Sequence, residues 1–389
     1  MRSESVTLPL VLYHLCLTLQ KLYEMMSCYQ GILDYVEAMR EANSGEGNRI
    51  EDLFRAAVMT AEDIASEEIN LAGGCACSEL WFHGARKQHL PYAFLQETCV
   101  TTTWMRLCEK LLEMTGGPKW ADRLERTFYN AYLAAMRPDG SEFAAYTPLT
   151  GGRHHGHHHC YMHTDCCTAN GPRGFFSFLR TFYRRNGDVA TFNFYGSAQT
   201  REFEMYSLYP RGDMARIVSH ATGPLKLRLR IPGWEGRTDV SVNGEGLEDV
   251  VAGSYLTIDR DWKLGDVVEV RFDMPVVVHV QDHHAAFTRG PVLLARDSRF
   301  GDGEMAETIR RGEFADGDVV PAFSAVRTPS DAFWMAFSAI LPIGAHCENP
   351  EGALPRSVFF CDYASAGNSW RRDDAYRTWI PVEIGPDDK

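Results

Sequence analysis

Positive charge is scarce in this chain. Lys and Arg number 39 against 52 Asp and Glu, for a net charge of −13. Nucleic-acid binding draws its affinity from clustered Lys and Arg, so that class is set aside. An acidic surface suits a soluble enzyme with a neutral or weakly polar substrate. A long apolar run is also missing, because none approaches the ~20 residues of a membrane span. The stretch VTLPLVLYHLCLTL (6–19) imitates a signal peptide, but it has only Arg2 as a basic flank and no clear small-residue cleavage site, so it reads as a buried helix. Regular cysteine spacing is the third absence. Eleven cysteines, an odd number at irregular intervals, do not make a disulfide framework. Reduced thiols, or thiolates on a metal, fit better. With 389 residues, 45% hydrophobic and 23% charged, the chain is long enough for two or three domains of ordinary globular composition.

The first half carries helical periodicity. Apolar residues recur at three- and four-residue spacing in LVLYHLCLTLQKLYEMMSCYQGILDYVEAMREA, where Gly31 is the weak point, and again in RIEDLFRAAVMTAEDIASEEI. ETCVTTTWMRLCEKLLEMTG places Leu107, Leu111, Leu112 and Met114 on or near one face and ends on a TGG stop. KWADRLERTFYNAYLAAM (119–136) follows, ended by Pro138 and Gly140. From about Asp188 the pattern changes to short alternating or β-branched runs between Gly, Pro and Asp, such as LKLRLRIPGW, TDVSVNGEG, SYLTIDRDW and DVVEVRFDMPVVVHV. These predict strands and tight turns in β-sandwich modules. PSDAFWMAFSAILPIG and YRTWIPVEI predict further strands. The expected division is a helical part over 1–187, a β-sandwich domain over 188–280 and a second β-rich domain over 281–389.

The densest chemistry in the sequence is HHGHHHCYMHTDCC (154–167), six histidines and three cysteines in fourteen positions. The Gly-flanked histidines read as an exposed loop open to adventitious metal, with Cys160 and His163 as weak candidates for contacts behind the site. The vicinal pair Cys166-Cys167 is the more telling part, together with Glu97-Thr98-Cys99 at a helix start and SELWFHG (78–84) upstream. Glu97, Cys99, Cys166 and Cys167 have the donor chemistry for a four-coordinate Zn²⁺. Their spacing is not that of a zinc ribbon, and side chains of adjacent cysteines diverge in regular structure. On the residues alone, buried inert cysteines and a vicinal disulfide remain open.

The run ETCVTTTWMRLCEKLLEMTG…KWADRLERTFYNAYLAAMRPDGSEFAAYTPL…CCTANGPR resembles glycoside hydrolase family 127, the β-L-arabinofuranosidase family. ETC, the Y-x-P-L stretch and CCxxNxxR carry the likeness. LRLRIPGW…VSVNG…SYLTIDRDWKLGD and TRGPVLLA (288–295) extend it to nearly the whole chain from about Lys21. The resemblance implies an (α/α)6-type helical barrel followed by β-sandwich domains. It implies zinc held by Glu97, Cys99, Cys166 and Cys167, with Cys166 as the nucleophile. A metal removes a thiol proton outright, and a thiolate is a competent nucleophile at an anomeric carbon.

A retaining glycosidase also needs an acid/base group across the sugar, about 5 Å from the nucleophile when both are carboxyls. The family's glutamate precedes ETC by roughly sixteen residues. Trp occupies that position here, and Glu79 is the nearest upstream acid, reconciled by an insertion of about two residues before Pro91. Tyr146 of the Y-x-P-L stretch matches a tyrosine near nucleophile or substrate. Asn170 and Arg173 are expected to hold the cysteine loop. Trp81 and His83 are candidates to stack on or bond the sugar, with His89 weaker. Lys21 stands where the family has a substrate-binding histidine, which suits a substrate bearing a carboxylate or a different sugar.

Five or six helices precede the β region where a complete barrel needs about twelve, so the N-terminal half of the barrel is expected to be missing. Exposed apolar helix faces would follow, favouring aggregation or association. The expected partner is an arabinose-containing oligosaccharide or glycoconjugate, with neither nucleic acid nor membrane, and a homodimer is compatible. Thiolate ligands favour a reducing cytoplasm, and a periplasm is compatible if a signal was lost with the N terminus. Two other classes stay in view: an inactive carbohydrate-binding fragment, and a lyase or isomerase on a similar helical scaffold, which has no need of the cysteine pair.

Overall fold

The computed structural model describes residues 21–42, 47–153, 166–234, 236–310, 312–320, 323–328, 332–345 and 354–383. The stretch 6–19, the histidines of 154–163 and Cys160 lie outside the described residues. The chain is helical first and mostly β-sheet after that.

Helices Leu22–Glu41 and Gly47–Glu67 pack against one another, and the first also packs on Thr98–Thr115. Their buried stripes follow the periodicity. Met25, Met26, Tyr29, Leu33 and Val36 line the inner face of the first helix, which runs unbroken through Gly31. Thr98–Thr115 is buried along almost all its sides, and Gly116 stops it in the left-handed conformation, donating its N–H to Leu112. Pro118 opens the next helix at its first position, where no N–H is missed. Among the described residues no helix is long and apolar enough to cross a membrane.

The segment expected as one helix over 119–136 is helical but not uniformly α. Pro118–Thr127 is α, Phe128–Tyr132 is a π turn, and Leu133–Ala135 resumes. The wider turn has a visible use. The Ala131 N–H leaves the helix ladder and donates to the Ala72 carbonyl at 3.0 Å, while Thr127 Oγ1 donates to the Gly73 carbonyl at 2.9 Å. Gly73 has φ +77, and a Cβ there would meet the Thr127 backbone at 2.6 Å. The π turn therefore grips the start of the loop that carries Glu79.

After the short strand Thr150–Gly151, the run of strands begins at Tyr183. One four-stranded sheet has the order Ser254–Trp262, Gly223–Ile231, Val189–Phe192, Tyr183–Asn186, and all its pairs are antiparallel except the central one. A six-stranded antiparallel sheet contains Phe203–Ser207, Met214–Ser219, Val267–Phe272 and Thr238–Val242. Alternation in Met214–Ser219 and Thr238–Val242 sends every second side chain inward. Phe192, Leu227, Leu229 and Trp262 from the first sheet share one apolar core with Phe203, Ile217, Val268 and Val270 from the second. A ten-stranded sheet takes up the C-terminal part, built around Val276–Gln281, His284–Arg289, Val292–Asp297, Ala336–Gly344 and Pro355–Asp362.

Three contacts tie the helices to the sheets. Thr150–Gly151 pairs antiparallel with Tyr376–Arg377. Buried Asn130, in the π turn, donates to the Pro291 carbonyl and accepts from the Leu293 N–H, each at 2.8 Å. Arg230 is fully buried and bonds both Asp122 and Glu125, the latter at 2.6 Å. Removing one member of such a group leaves an uncompensated buried charge. Arg230→Ala is expected to cost about 3–5 kcal/mol in urea unfolding, and Arg230→Met combined with Glu125→Leu to recover most of it. A loss under about 1 kcal/mol for the single variant would show that the cluster does not hold the helices to the sheet.

Candidate metal centre and active site

The loop from Ala72 to Glu97 holds an unusual backbone. Ala76, Ser78, Glu79, His83 and Gln96 all have positive φ, between 51° and 76°. Such conformations cost a non-glycine residue roughly 1 kcal/mol or more, and they persist only where the surroundings over-determine them. The surroundings here are explicit. The Leu22 N–H donates to the Glu79 carbonyl at 2.9 Å, the Ser78 N–H to Phe94, and the Gln96 N–H to Ala76. The buried Glu68 carboxylate accepts from the N–H groups of Phe82, His83 and Gly84 at 3.2, 2.9 and 3.3 Å. Glu79 is thereby presented from a fixed turn.

Glu97 and Cys99 sit at the N-terminal end of the Thr98–Thr115 helix, where the peptide dipoles favour negative charge. The segment 143–147 lies alongside. The Thr98 N–H donates to Ala145 at 3.0 Å, Thr98 Oγ1 to Ala144 at 2.6 Å, and the Thr147 N–H to Leu95 at 3.0 Å. The ring of Tyr146 consequently packs against Cys99, Ala145 and Cys167. Cys166 and Cys167 open the short helix Cys166–Asn170. Behind it, Gly171 and Gly174 leave no room for a Cβ against the rings of Phe143 and Tyr132, and the Tyr132 hydroxyl donates to the Gly171 carbonyl at 2.8 Å. Asn170 Nδ2 reaches the Cys99 carbonyl at 3.5 Å and Arg173 donates to Asn170 Oδ1 at 3.2 Å, so Asn170 and Arg173 do brace the cysteine turn.

One ligand atom from each of Glu97, Cys99, Cys166 and Cys167 falls within 4.8 Å of the others. Cys99 and Cys167 sulfurs are 3.5 Å apart, and Cys167 Sγ is 3.5 Å from Glu97 Oε1. Tetrahedral bonds of 2.0–2.3 Å require ligand separations of about 3.3–3.8 Å, so the donors fit a four-coordinate metal. Cys99, Cys166 and Cys167 are free thiols in this structure. Divergence of the adjacent pair is real but useful: Cys167 is fully buried while Cys166 faces solvent.

The protonation state points the same way. Burial, then Cys99 and Glu79, pushes the Glu97 carboxyl up to about 9. Burial, then Cys99, pushes Cys166 up to about 12. Cys167 lies well above the ordinary thiol range, chiefly through its hydrogen bond with Cys99 and burial. Tyr146 is raised by burial and by the surrounding Glu97, Glu79 and cysteines. Glu97, Cys166 and Cys167 crowd one spot, and burial together with their neighbours favours their neutral forms.

Cys166, Cys99, Glu97 and Glu79 line one cleft of about 270 Å³, together with Tyr23, Glu24, Ala169, Asn170 and Arg173. Lys21 Nζ lies 2.8 Å from Glu79 Oε2 at its edge. Tyr23, Glu24 and Arg173 are lining groups that the sequence did not single out as such; only their proximity in sequence to Lys21 and Cys166 hinted at it. Trp81 and His83 stand outside this lining. Trp81 packs against the helical core, and His83 is largely exposed, with Nδ1 3.7 Å from Glu67. His89 is also outside the lining, its ring tilted against His284 with centroids 5.1 Å apart.

Known proteins resemble this chain in sequence and in fold. The family description "Beta-L-arabinofuranosidase, GH127 catalytic domain" matches residues 39–180, and "Beta-L-arabinofuranosidase, GH127 middle domain" matches residues 198–274. A non-reducing end β-L-arabinofuranosidase of Bifidobacterium longum subsp. longum is 26% identical in an alignment covering 74% of this chain and 48% of the relative. A solved GH127 β-arabinofuranosidase superposes with a TM-score of 0.74 at 22% identity, covering 93% of this chain and 60% of its own. A GH127 β-L-arabinofuranosidase from Geobacillus stearothermophilus T6 gives 0.69 at 20% identity, with the same coverages. At these identities the solved structures speak to fold alone. The chain spans about half the length of the curated relative it matches.

Because Glu97 is protonated at neutral pH in the metal-free protein, metal uptake must release protons. Adding one equivalent of Co²⁺ at pH 7 is expected to produce thiolate-to-metal charge-transfer absorption and to release at least one proton, read with a pH indicator. In Cys167→Ser the absorption should weaken or vanish. Uptake with no proton release would mean that the metal sits elsewhere.

Proposed function

The chain belongs to glycoside hydrolase family 127, and from that premise we propose that it is a zinc-dependent retaining glycoside hydrolase releasing β-L-arabinofuranose or a related sugar. The substrate class on this reading is an arabinose-containing oligosaccharide or glycoconjugate of plant cell-wall origin. Its helices are read as part of an (α/α)6-type barrel and its sheets as β-sandwich domains, divided near residues 187 and 280. The observation that carries the proposal is one cleft with an exposed Cys166 thiol, a Glu97–Cys99–Cys167 donor cluster against it, and Glu79 in the same lining.

Three thiolates and one carboxylate suit zinc above harder cations. Zinc, when bound, keeps the thiols deprotonated and holds Cys166 in place. In the reaction the Cys166 sulfur forms a bond to the anomeric carbon as the glycosidic C–O bond breaks. Glu79 donates its proton to the departing oxygen, so the leaving group departs as a neutral alcohol. A water then enters, Glu79 takes a proton from it, and its oxygen displaces sulfur with a second inversion at carbon. Lys21, 2.8 Å from Glu79 Oε2, orients the Glu79 carboxyl group. Tyr146 packs against the Cys99–Ala145–Cys167 cluster beside these groups.

The alternative reading is a carbohydrate-binding fragment of such an enzyme, without turnover. Variants separate the two. Cys166→Ser is expected to lower kcat on an aryl β-L-arabinofuranoside by at least about 10³-fold. Glu79→Gln should cost about 10²–10⁴-fold on substrates with poor leaving groups and much less on activated ones. Zinc content should stay near one per chain in Glu79→Gln. Wild-type turnover that survives both substitutions would remove these residues from the chemistry, and binding without turnover would favour the fragment reading.

A further inference from the structure

Residues 91–94 are exposed, and the Phe94 ring meets Tyr146, which packs against the cluster of Cys99, Ala145 and Cys167. Phe94 is 48% exposed, and Tyr92 next to it is 39% exposed. The exposure is not that of a loose tip. Leu95, the next residue, is buried, bridged to Cys77, and accepts the Thr147 N–H at 3.0 Å. The Phe94 carbonyl accepts the Ser78 N–H at 2.9 Å. An anchored backbone therefore presents an apolar ring to water.

What the ring touches gives it a direction. Phe94 meets Tyr146 nearly edge to face, with centroids 5.2 Å apart and planes at 78°. Tyr146 in turn packs on Cys99, Ala145 and Cys167. The two rings make a step leading outward from the donor cluster to solvent. That step is on the Glu79 side, because the hydrogen bond from Ser78 to Phe94 joins Phe94 to the residue immediately before Glu79. An acid that protonates a departing oxygen must lie beside the leaving group, so the Glu79 side is the leaving-group side.

We propose that Phe94 is the platform on which the substrate's leaving group stacks, making it a specificity-determining residue for ring-bearing aglycones. The inference rests on the hydrolase reading above for the identity of the sugar and the side from which the acid acts. Residues 91–94, Pro-Tyr-Ala-Phe, carry no charge, which fits a neutral ring such as a second sugar or an aryl group. Apolar C–H faces of such rings gain by leaving water against an aromatic surface. A small alcohol has too little surface to gain much. Tyr92, held edge-on by Phe82 at 5.9 Å, continues the aromatic face for a longer aglycone.

The test is calorimetric titration of zinc-loaded protein with two ligands, a β-L-arabinofuranosyl disaccharide and methyl β-L-arabinofuranoside, with hydrolysis of each followed separately. Phe94→Ala is expected to weaken the disaccharide by five- to tenfold, order of magnitude, and to leave the methyl glycoside within about twofold. Phe94→Tyr, which keeps the ring, should match the wild type and so guards against a folding defect in the alanine variant. Equal weakening of both ligands, unchanged disaccharide affinity, or failure of the wild type to bind the disaccharide more tightly than the methyl glycoside overturns the platform. Binding that depends on Phe94 without hydrolysis of either ligand would keep the platform and contradict the hydrolase reading alone.

Discussion

Mutual repulsion among Glu97, Cys99, Cys166 and Cys167 is the constraint around which this site is organised. Three of the four are buried, and their donor atoms lie within 4.8 Å of one another. As anions they cannot share that space alone; as neutral groups they would be a poorly matched polar pocket in a packed interior. A divalent cation would satisfy the set at once, and the two 3.5 Å separations from Cys167 Sγ suit its bond lengths. Everything nearby holds those donors in place: the helix start at Thr98, the 143–147 segment bonded along it, and the two glycines that let the cysteine turn close onto Phe143 and Tyr132.

Strain in the Glu79 loop belongs to the same design. Left-handed Ala76, Ser78, Glu79 and His83 would relax in a free peptide. Here the turn is gripped by the π turn through Ala72 and Gly73, by the buried Glu68 carboxylate, and by the first helix through Leu22. These contacts place a carboxylate in the same cleft as an exposed thiol, with Lys21 against it. The C-terminal sheet also participates. Gln96 Nε2 donates to Tyr363 Oη at 3.0 Å, and Tyr363 Oη bonds the Thr147 carbonyl at 2.8 Å, so the β region buttresses both strands of the site.

Much of this was legible in the residues. Helical periodicity located Leu22–Glu41, Gly47–Glu67 and Thr98–Thr115, and alternation located Met214–Ser219 and Thr238–Val242. The four donors were implied by the family resemblance that ETC and CC carry, and the structure brings them together across nearly seventy residues of sequence. Other features left no local trace. A π turn has the same apolar spacing as an α turn to within a residue, so Phe128–Tyr132 reads as ordinary helix. Val292–Asp297 is buried on both faces and shows no alternation. The Lys21–Glu79 pair and the entry of Tyr23 and Glu24 into the cleft depend on how the first helix docks onto the loop, which no short window encodes. The eye-catching histidine run lies outside the described residues, whereas the last two letters of that stretch, Cys166 and Cys167, belong to the described cluster.

The central claim is that three thiolates and one carboxylate, rather than the histidines, hold the metal. X-ray absorption at the zinc edge of the purified protein tests it most directly. The account predicts a first shell of about three sulfurs near 2.3 Å and one oxygen near 2.0 Å, at one zinc per chain. A shell dominated by imidazole nitrogen, with the outer-shell scattering of histidine rings, would contradict it.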